Sequence, residues 1–426
     1  MDDVPKLLNQ KKNLWNRLFF FLICIAPGYL FPLFAGQTQV VDFKNQIHGY
    51  HQITPLDPFS KFMEKVERGG VMLNYKSDHA YLNSLLKELG ISPYSQLLVY
   101  STTSLQLSRI SPRNPRAIYF SDDIYVGYVP GGQIEIIGID PQLGAIPYIF
   151  NLPQAQDTTH PKIYRSKRCM NCHASKEMGG APGLLVGSVI PGPGGGTIDA
   201  FRRNIFGHNI PFAKRFGGWH ITGGNPFPQS WANQTGMMKS GKILKILNPP
   251  GKYFTWDNYP VQGSSLIPHL LLEHQVGFTN LCIFATYKFR ELNDSKEDFI
   301  QEQTDQLLSY ILFEKEAALP ESIIDKKTRY VMDFEGKMYP NSGQNSLRQL
   351  NLVSRILDLR CSYMIFSNSF SGLPIPIKNV LSQKLFNLLS SQQDKLPSRF
   401  SYLKKDEREK IKKILTAQWD GFGQQS

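Results

Sequence analysis

Two cysteines and a histidine hold the spacing with the most chemical content. Cys169-Met170-Asn171-Cys172-His173 reads C-x-x-C-H, the attachment signature of a c-type haem. Thiols three residues apart can each reach one vinyl group of the same porphyrin and form thioether bonds. The next residue, His173, then lies under the iron and can offer an imidazole nitrogen as axial ligand. A thioredoxin-like redox pair would need a βαβ context, which the flanking sequence does not offer. A zinc site would need a second ligand pair, and no other Cys-Cys or Cys-His pair is closely spaced. The motif occurs once, so one haem is expected.

Haem chemistry depends on what fills the sixth iron position. Six-coordinate iron shuttles electrons, whereas an open position binds small molecules or activates peroxide. The remaining histidines are His48, His51, His79, His160, His208, His220, His269 and His274. Met178 lies five residues beyond His173, too near to wrap to the opposite haem face, and Met237-Met238 sit in a polar stretch. His274 leads, because it falls on an otherwise apolar helical face with Ile267, Leu270, Leu271, Phe278 and Leu281, where an imidazole needs a partner. His208 follows and His220 is third. Arg202, Arg203, Lys214 and Arg215 could pair with haem propionates, since guanidinium matches carboxylate geometry.

The elements that must position these residues suggest an α+β fold. Short helices are expected at 61–68 and 79–89, the second capped by Ser77-Asp78. Five β-type runs follow, at 96–100, 116–120, 124–129, 133–137 and 145–150, separated by Asn/Pro, Asp-Asp, Pro-Gly-Gly and Asp-Pro turn signals. They predict an antiparallel sheet behind a helical pair. Residues 184–190 read as a strand. Residues 197–251, rich in Gly, Pro, Asn and Trp, read as long irregular structure able to wrap a haem. The glycine-rich stretch 191–196 contains a loose G-x-G, but no helix pattern follows, which argues against phosphate binding. A strong helix is expected from Ser265, with that serine as cap, and further helices at 296–318, 345–370, 374–391 and 406–416. This gives an export segment at 1–35, an α+β region at 36–150, a haem-binding segment at 151–295 and a helical region at 296–426.

The chain has 426 residues, is 41% hydrophobic and carries a formal net charge of +12. That balance suits an acidic redox protein or an anionic membrane surface. Nucleic acid fits less well, because the basic residues are scattered and form no recognition motif. The first residues have the layout of an export signal: Lys11, Lys12 and Arg17, an apolar run at 18–26, and Leu33-Phe34-Ala35 as a cleavage site. An uncleaved membrane anchor is the alternative, although Pro27, Gly28 and Pro32 interrupt the apolar run. Export and covalent haem support each other, since c-type attachment takes place outside the cytoplasm; a periplasmic location follows. Cys282 and Cys361 lie in apolar contexts and read as buried thiols, with a disulfide as the alternative.

Set in order, several stretches resemble a family of exported bacterial proteins with a single c-type haem motif, described only as cytochrome c domain proteins. The matching stretches are 121–128, 140–145, 169–175, 215–223, 272–275 and 361–363. They span about residues 95–390. The resemblance implies haem binding and a redox role but no particular reaction. Where the family tends to have Tyr, this chain has His220. Where the family has a stretch containing His and Met, this chain has 225–234, with neither. The first departure places His220 behind His274 and His208. The expected function is electron transfer by an exported mono-haem cytochrome. A haem enzyme, peroxidase-like or acting on another small molecule, and a haem-based sensor are the alternatives.

Overall fold

The computed structural model describes residues 40–153, 161–202, 205–293, 296–320, 327–337 and 346–424. The stretch 1–35 read as an export segment, His160 and Arg203 lie outside the described residues. The architecture is α+β, with antiparallel sheets and a helical C-terminal part.

Its scaffold is a six-stranded antiparallel meander in sequence order: β1 (Leu97–Val99), β2 (Arg116–Phe120), β3 (Ile124–Tyr128), β4 (Gln133–Asp140), β5 (Gly144–Asn151) and β6 (Tyr164–Arg165). All five β-type runs of the sequence lie in it. Alternation sends Ala117, Tyr119, Val126, Ile134, Ile136 and Phe150 to one face. There they meet α1 (Pro58–Glu67) and α2 (Asp78–Glu88), which bury Phe59, Phe62 and Val66, and Tyr81, Leu82, Leu85 and Leu86. Asp57 caps α1 by accepting from the amides of Phe59 and Ser60, and its other carboxylate oxygen accepts from Tyr148 Oη on β5 at 2.6 Å. One side chain thus starts the helix and ties it to the sheet. Ser77 caps α2 by accepting from Ala80 N at 3.1 Å.

After β6 come the short α3 (Met170–His173) and two hairpins, β7 (Ser188–Pro191) with β8 (Thr197–Arg202), and β9 (Gln234–Lys239) with β10 (Lys242–Leu247). The expected irregularity of 197–251 is thus broken by three strands. Ser240 and Gly241 both have positive φ and join β9 to β10 as a two-residue turn. The strand expected at 184–190 is placed later, at Ser188–Pro191.

α4 (Leu266–Glu291) is 26 residues long and buried from Leu266 through Tyr287 on every side. Its Leu270, Leu271, Phe278 and Leu281 belong to the C-terminal core, while Ile283, Phe284 and Tyr287 join the core beneath α1 and α2. Ser265 stands at the N-cap position but makes no side-chain cap bond, contrary to expectation. α5 (Lys296–Ile311) and α7 (Asn368–Ser371) pack on α4, α8 (Ile375–Ser390) packs on α5, α9 (Lys405–Gln418) on α8, and α6 (Arg329–Glu335) lies beside residues 93–95. The helix expected over 345–370 does not form over the described residues 346–362. Asn351 Oδ1 accepts from the amides of Val353 and Ser354, Leu352 takes φ 55°, and Leu350 bridges to Leu357. A side chain that captures local amides offers the backbone a turn in place of a helix. Among the described residues no helix is long and apolar enough to cross a membrane.

Candidate haem-attachment site

The haem motif begins where β6 ends. Ser166 N donates to Pro147 O at 2.8 Å, which fixes the start of the turn to β5. Arg165 stacks its guanidinium 4.3 Å from the Tyr50 ring and donates to the Tyr50 carbonyl. Met170 is buried, and its sulfur accepts from Tyr50 Oη at 3.3 Å. The single turn of α3 is therefore pinned by its first residue, Met170, which leaves the cysteines on either side of it accessible. All four described cysteines are free; Cys172 is exposed and Cys169 partly so. The Cys169 thiol donates to Ser166 Oγ at 3.1 Å, and burial pushes its pKa up. Cys282 and Cys361 are buried and unpaired, in agreement with the reading of two buried thiols.

His173 is held by a reciprocal pair of bonds. Its Nδ1 donates to Gly183 O at 2.9 Å, and Gly183 N donates to His173 O at 2.8 Å. Burial lowers the ring's pKa, the Gly183 bond opposing it, so the neutral imidazole is favoured. With the proton on Nδ1, Nε2 carries the lone pair, and no described residue bonds it. A carbonyl behind a ligating histidine fixes its tautomer and ring orientation. The carbonyl is itself fixed: Asn280 on α4 accepts from Leu184 N at 2.8 Å and donates to Leu184 O at 2.9 Å. Gly183 fits because a Cβ there would stand 2.6 Å from Asn280 Oδ1.

Beside the motif lies the second face of the sheet. Register places Ile118, Gly127, Glu135, Ile149 and Tyr164 in one row across five strands. The row becomes more open toward the motif: Ile118, Glu135 and Ile149 are half-buried and Tyr164 is exposed. Glu135 accepts from Ser104 Oγ at 2.8 Å and Gln106 Nε2 at 3.0 Å, and pairs with Arg116 Nη2 at 3.0 Å. Burial alone would raise the Glu135 pKa; the Arg116 charge and these hydrogen bonds outweigh it, leaving the group lowered and ionised. Leu105 and Leu107 are exposed on the loop that bonds Glu135, and Leu185 is exposed two residues beyond the glycine that holds His173.

The other residues singled out in the sequence lie elsewhere. His274 and His208 meet each other, Nδ1 to Nδ1 at 2.8 Å, in the helical core. His274 Nε2 also bonds Ser362 Oγ at 2.8 Å, so neither of its ring nitrogens is free as folded. Burial lowers both pKa values, that of His274 to about 3. His220 packs against Tyr100 and Phe254, donates from Nδ1 to Asn233 Oδ1 at 3.3 Å, and leaves its buried Nε2 without a partner. Arg202 is spent on a buried bidentate pair with Glu273, both bonds 2.6 Å. Arg215 is buried and donates to the carbonyls of Ile210, His208 and Gly207. Lys214 is exposed. Arg116, Glu135, Gly183 and Asn280 were not singled out from the sequence. Only Asn280, a polar residue inside a long apolar run, left a trace there.

Among the described residues no group of three or more His, Cys, Asp or Glu converges as a metal site. No protein-family model, curated protein or solved structure is significantly similar to the chain.

Proposed function

We propose that the protein is an exported mono-haem c-type cytochrome that binds haem and transfers electrons, with thioethers at Cys169 and Cys172 and His173 as axial ligand. The observation that carries this reading is the His173–Gly183 pair. It supplies a neutral imidazole with Nδ1 occupied and Nε2 unpartnered, beside two free thiols. Haem iron, when bound, supplies a one-electron couple. The chain's part is to orient the imidazole through Gly183 and Asn280 and to offer apolar surface at Leu105, Leu107 and Leu185. Export fits this reading, and so does the resemblance to cytochrome c domain proteins.

An acidic redox partner fits the charge around the motif. Lys162, Lys167, Arg168 and Lys176 are exposed within one short stretch, with Arg165 beside them and only Glu177 of opposite sign. Electron exchange with such a partner should slow as ionic strength rises, because screening weakens steering.

A second reading, a haem enzyme or sensor with an open sixth position, is favoured by one observation. His274 as sixth ligand would have to give up its bond to His208 or to Ser362. Carbon monoxide added to the ferrous protein distinguishes the two: immediate binding marks an open position. The primary test is expression with a c-type maturation system, followed by denaturing electrophoresis and haem staining. A stained band at the mass of the exported chain is expected, lost in Cys169→Ala/Cys172→Ala. Haem removed by acid-acetone extraction would sink covalent attachment.

A further inference from the structure

We infer that Arg116, with Glu135 as its positioning partner, is the cationic anchor for a haem propionate. This rests on the haem reading above and assigns a role to residues outside the motif. Arg116 opens β2 on the sheet face that borders α3. Register carries the same face from Gly127 to Glu135, Ile149 and Tyr164, two residues before the turn at Ser166 that leads into the motif, so the ion pair and the motif border one face of the sheet. Arg116 is largely but not wholly buried, with about 18% of its side chain exposed, so its head lies at the edge of the site.

Three features select Arg116. Its Nη2 is held by Glu135 at 3.0 Å, yet its Nε is buried and bonded to nothing among the described residues. A buried unsatisfied donor costs about 1–3 kcal/mol, and a carboxylate arriving from outside would relieve it. Second, the guanidinium lies across Gly127. A Cβ at Gly127 would stand 2.8 Å from both Nε and Nη2, so the glycine keeps the place where the arginine lies. Third, Glu135 is already satisfied by Ser104 and Gln106 as well as by Arg116. It can hold the guanidinium in place without needing all of its donors. Vinyl and propionate groups leave opposite edges of a porphyrin. A haem held at Cys169 and Cys172 would lie against this sheet face, where Arg116 would be the cation available to a propionate. Arg202 Nε and Arg215 Nη1 are likewise buried without a partner among the described residues, but both arginines fit this role less well: one is committed to Glu273, the other to three backbone carbonyls, and neither lies across a glycine at the edge of this face.

The test measures the midpoint potential of the covalent haem in wild type, Arg116→Gln, Arg116→Lys and Lys167→Ala. A cation beside a propionate offsets its negative charge and favours the reduced iron. Arg116→Gln should therefore lower the potential, and Arg116→Lys should recover part of the fall. Lys167→Ala, an exposed cation next to the motif, should change it less than Arg116→Gln. The absorption spectrum of each variant checks that the iron ligation is unaltered. Haem-bearing Arg116→Gln and Arg116→Lys with wild-type potentials would overturn this inference alone. Wild type without covalent haem would overturn the haem reading and this inference together. If Arg116→Gln does not accumulate, Arg116→Met, which also removes the charge, decides: a lowered potential supports the anchor and an unchanged one refutes it.

Discussion

At the residue scale, the motif's function depends on a carbonyl ten positions further along. His173 is oriented by Gly183, and Gly183 is fixed through its neighbour Leu184 by Asn280. Asn280→Ala leaves a buried amide and a buried carbonyl of Leu184 unsatisfied. About 2–4 kcal/mol of stability should be lost, read from the urea midpoint. The haem absorption bands should broaden or shift as the imidazole loses its fixed orientation. A variant that loses stability with a wild-type spectrum would show that Asn280 serves the core only. Cys169, Cys172 and His173 were legible because their spacing is itself the chemistry. Arg116 and Glu135 were not, because they meet only through the β2–β3–β4 ladder, and register follows from the folded sheet. Gly183 carries no side chain from which a role could be read.

At the element scale, α4 joins the two cores and holds both Asn280 and His274. The sequence showed one apolar stripe, whereas burial is complete around the helix. Its polar members, Glu273, His274, Gln275, Thr279 and Asn280, are buried and make contacts that no periodicity could reveal. Glu273 answers Arg202 and the amide of Gly207, and His274 answers His208 and Ser362. His274→Ala removes the partner of two buried polar groups and opens a void between Tyr310, Phe313 and Tyr363. The expected result is a loss of about 3 kcal/mol with an unchanged ferric haem spectrum. Conversion from low spin to high spin would instead establish His274 as the sixth iron ligand. The sheet was easier to read than the segment at 346–362. Alternating apolar residues with turn signals match a two-sided sheet, but a single amide-capturing Asn351 was enough to defeat a helical pattern.

At the scale of the whole molecule, the burial of neutral histidines makes stability depend on pH. His220 and His274 are lowered to about 3, and His269 to about 4, each by burial first. A group whose folded pKa lies below its unfolded value near 6.5 stays neutral in the fold while the unfolded chain takes up a proton. Its contribution is complete above pH 6.5 and is lost as pH falls toward 3–4. Asp123 and Glu316 act in the opposite sense. Burial raises both to about 7, so they favour folding as pH falls through 7 toward their unfolded values near 4. Between pH 6.5 and 5 each such histidine costs about 2 kcal/mol and each acid returns a similar amount, which leaves the histidines ahead. The urea midpoint should therefore fall between pH 7 and pH 5. His269 offers a way to isolate one contribution, since its Nε2 donates to His220 O at 3.1 Å and a glutamine amide can supply the same donor. His269→Gln should keep the pH 7 midpoint near wild type and reduce the fall at pH 5 by about 2 kcal/mol. An equal fall in wild type and variant would show that His269 already carries its proton in the folded protein, and that its surroundings are wetter than this packing allows.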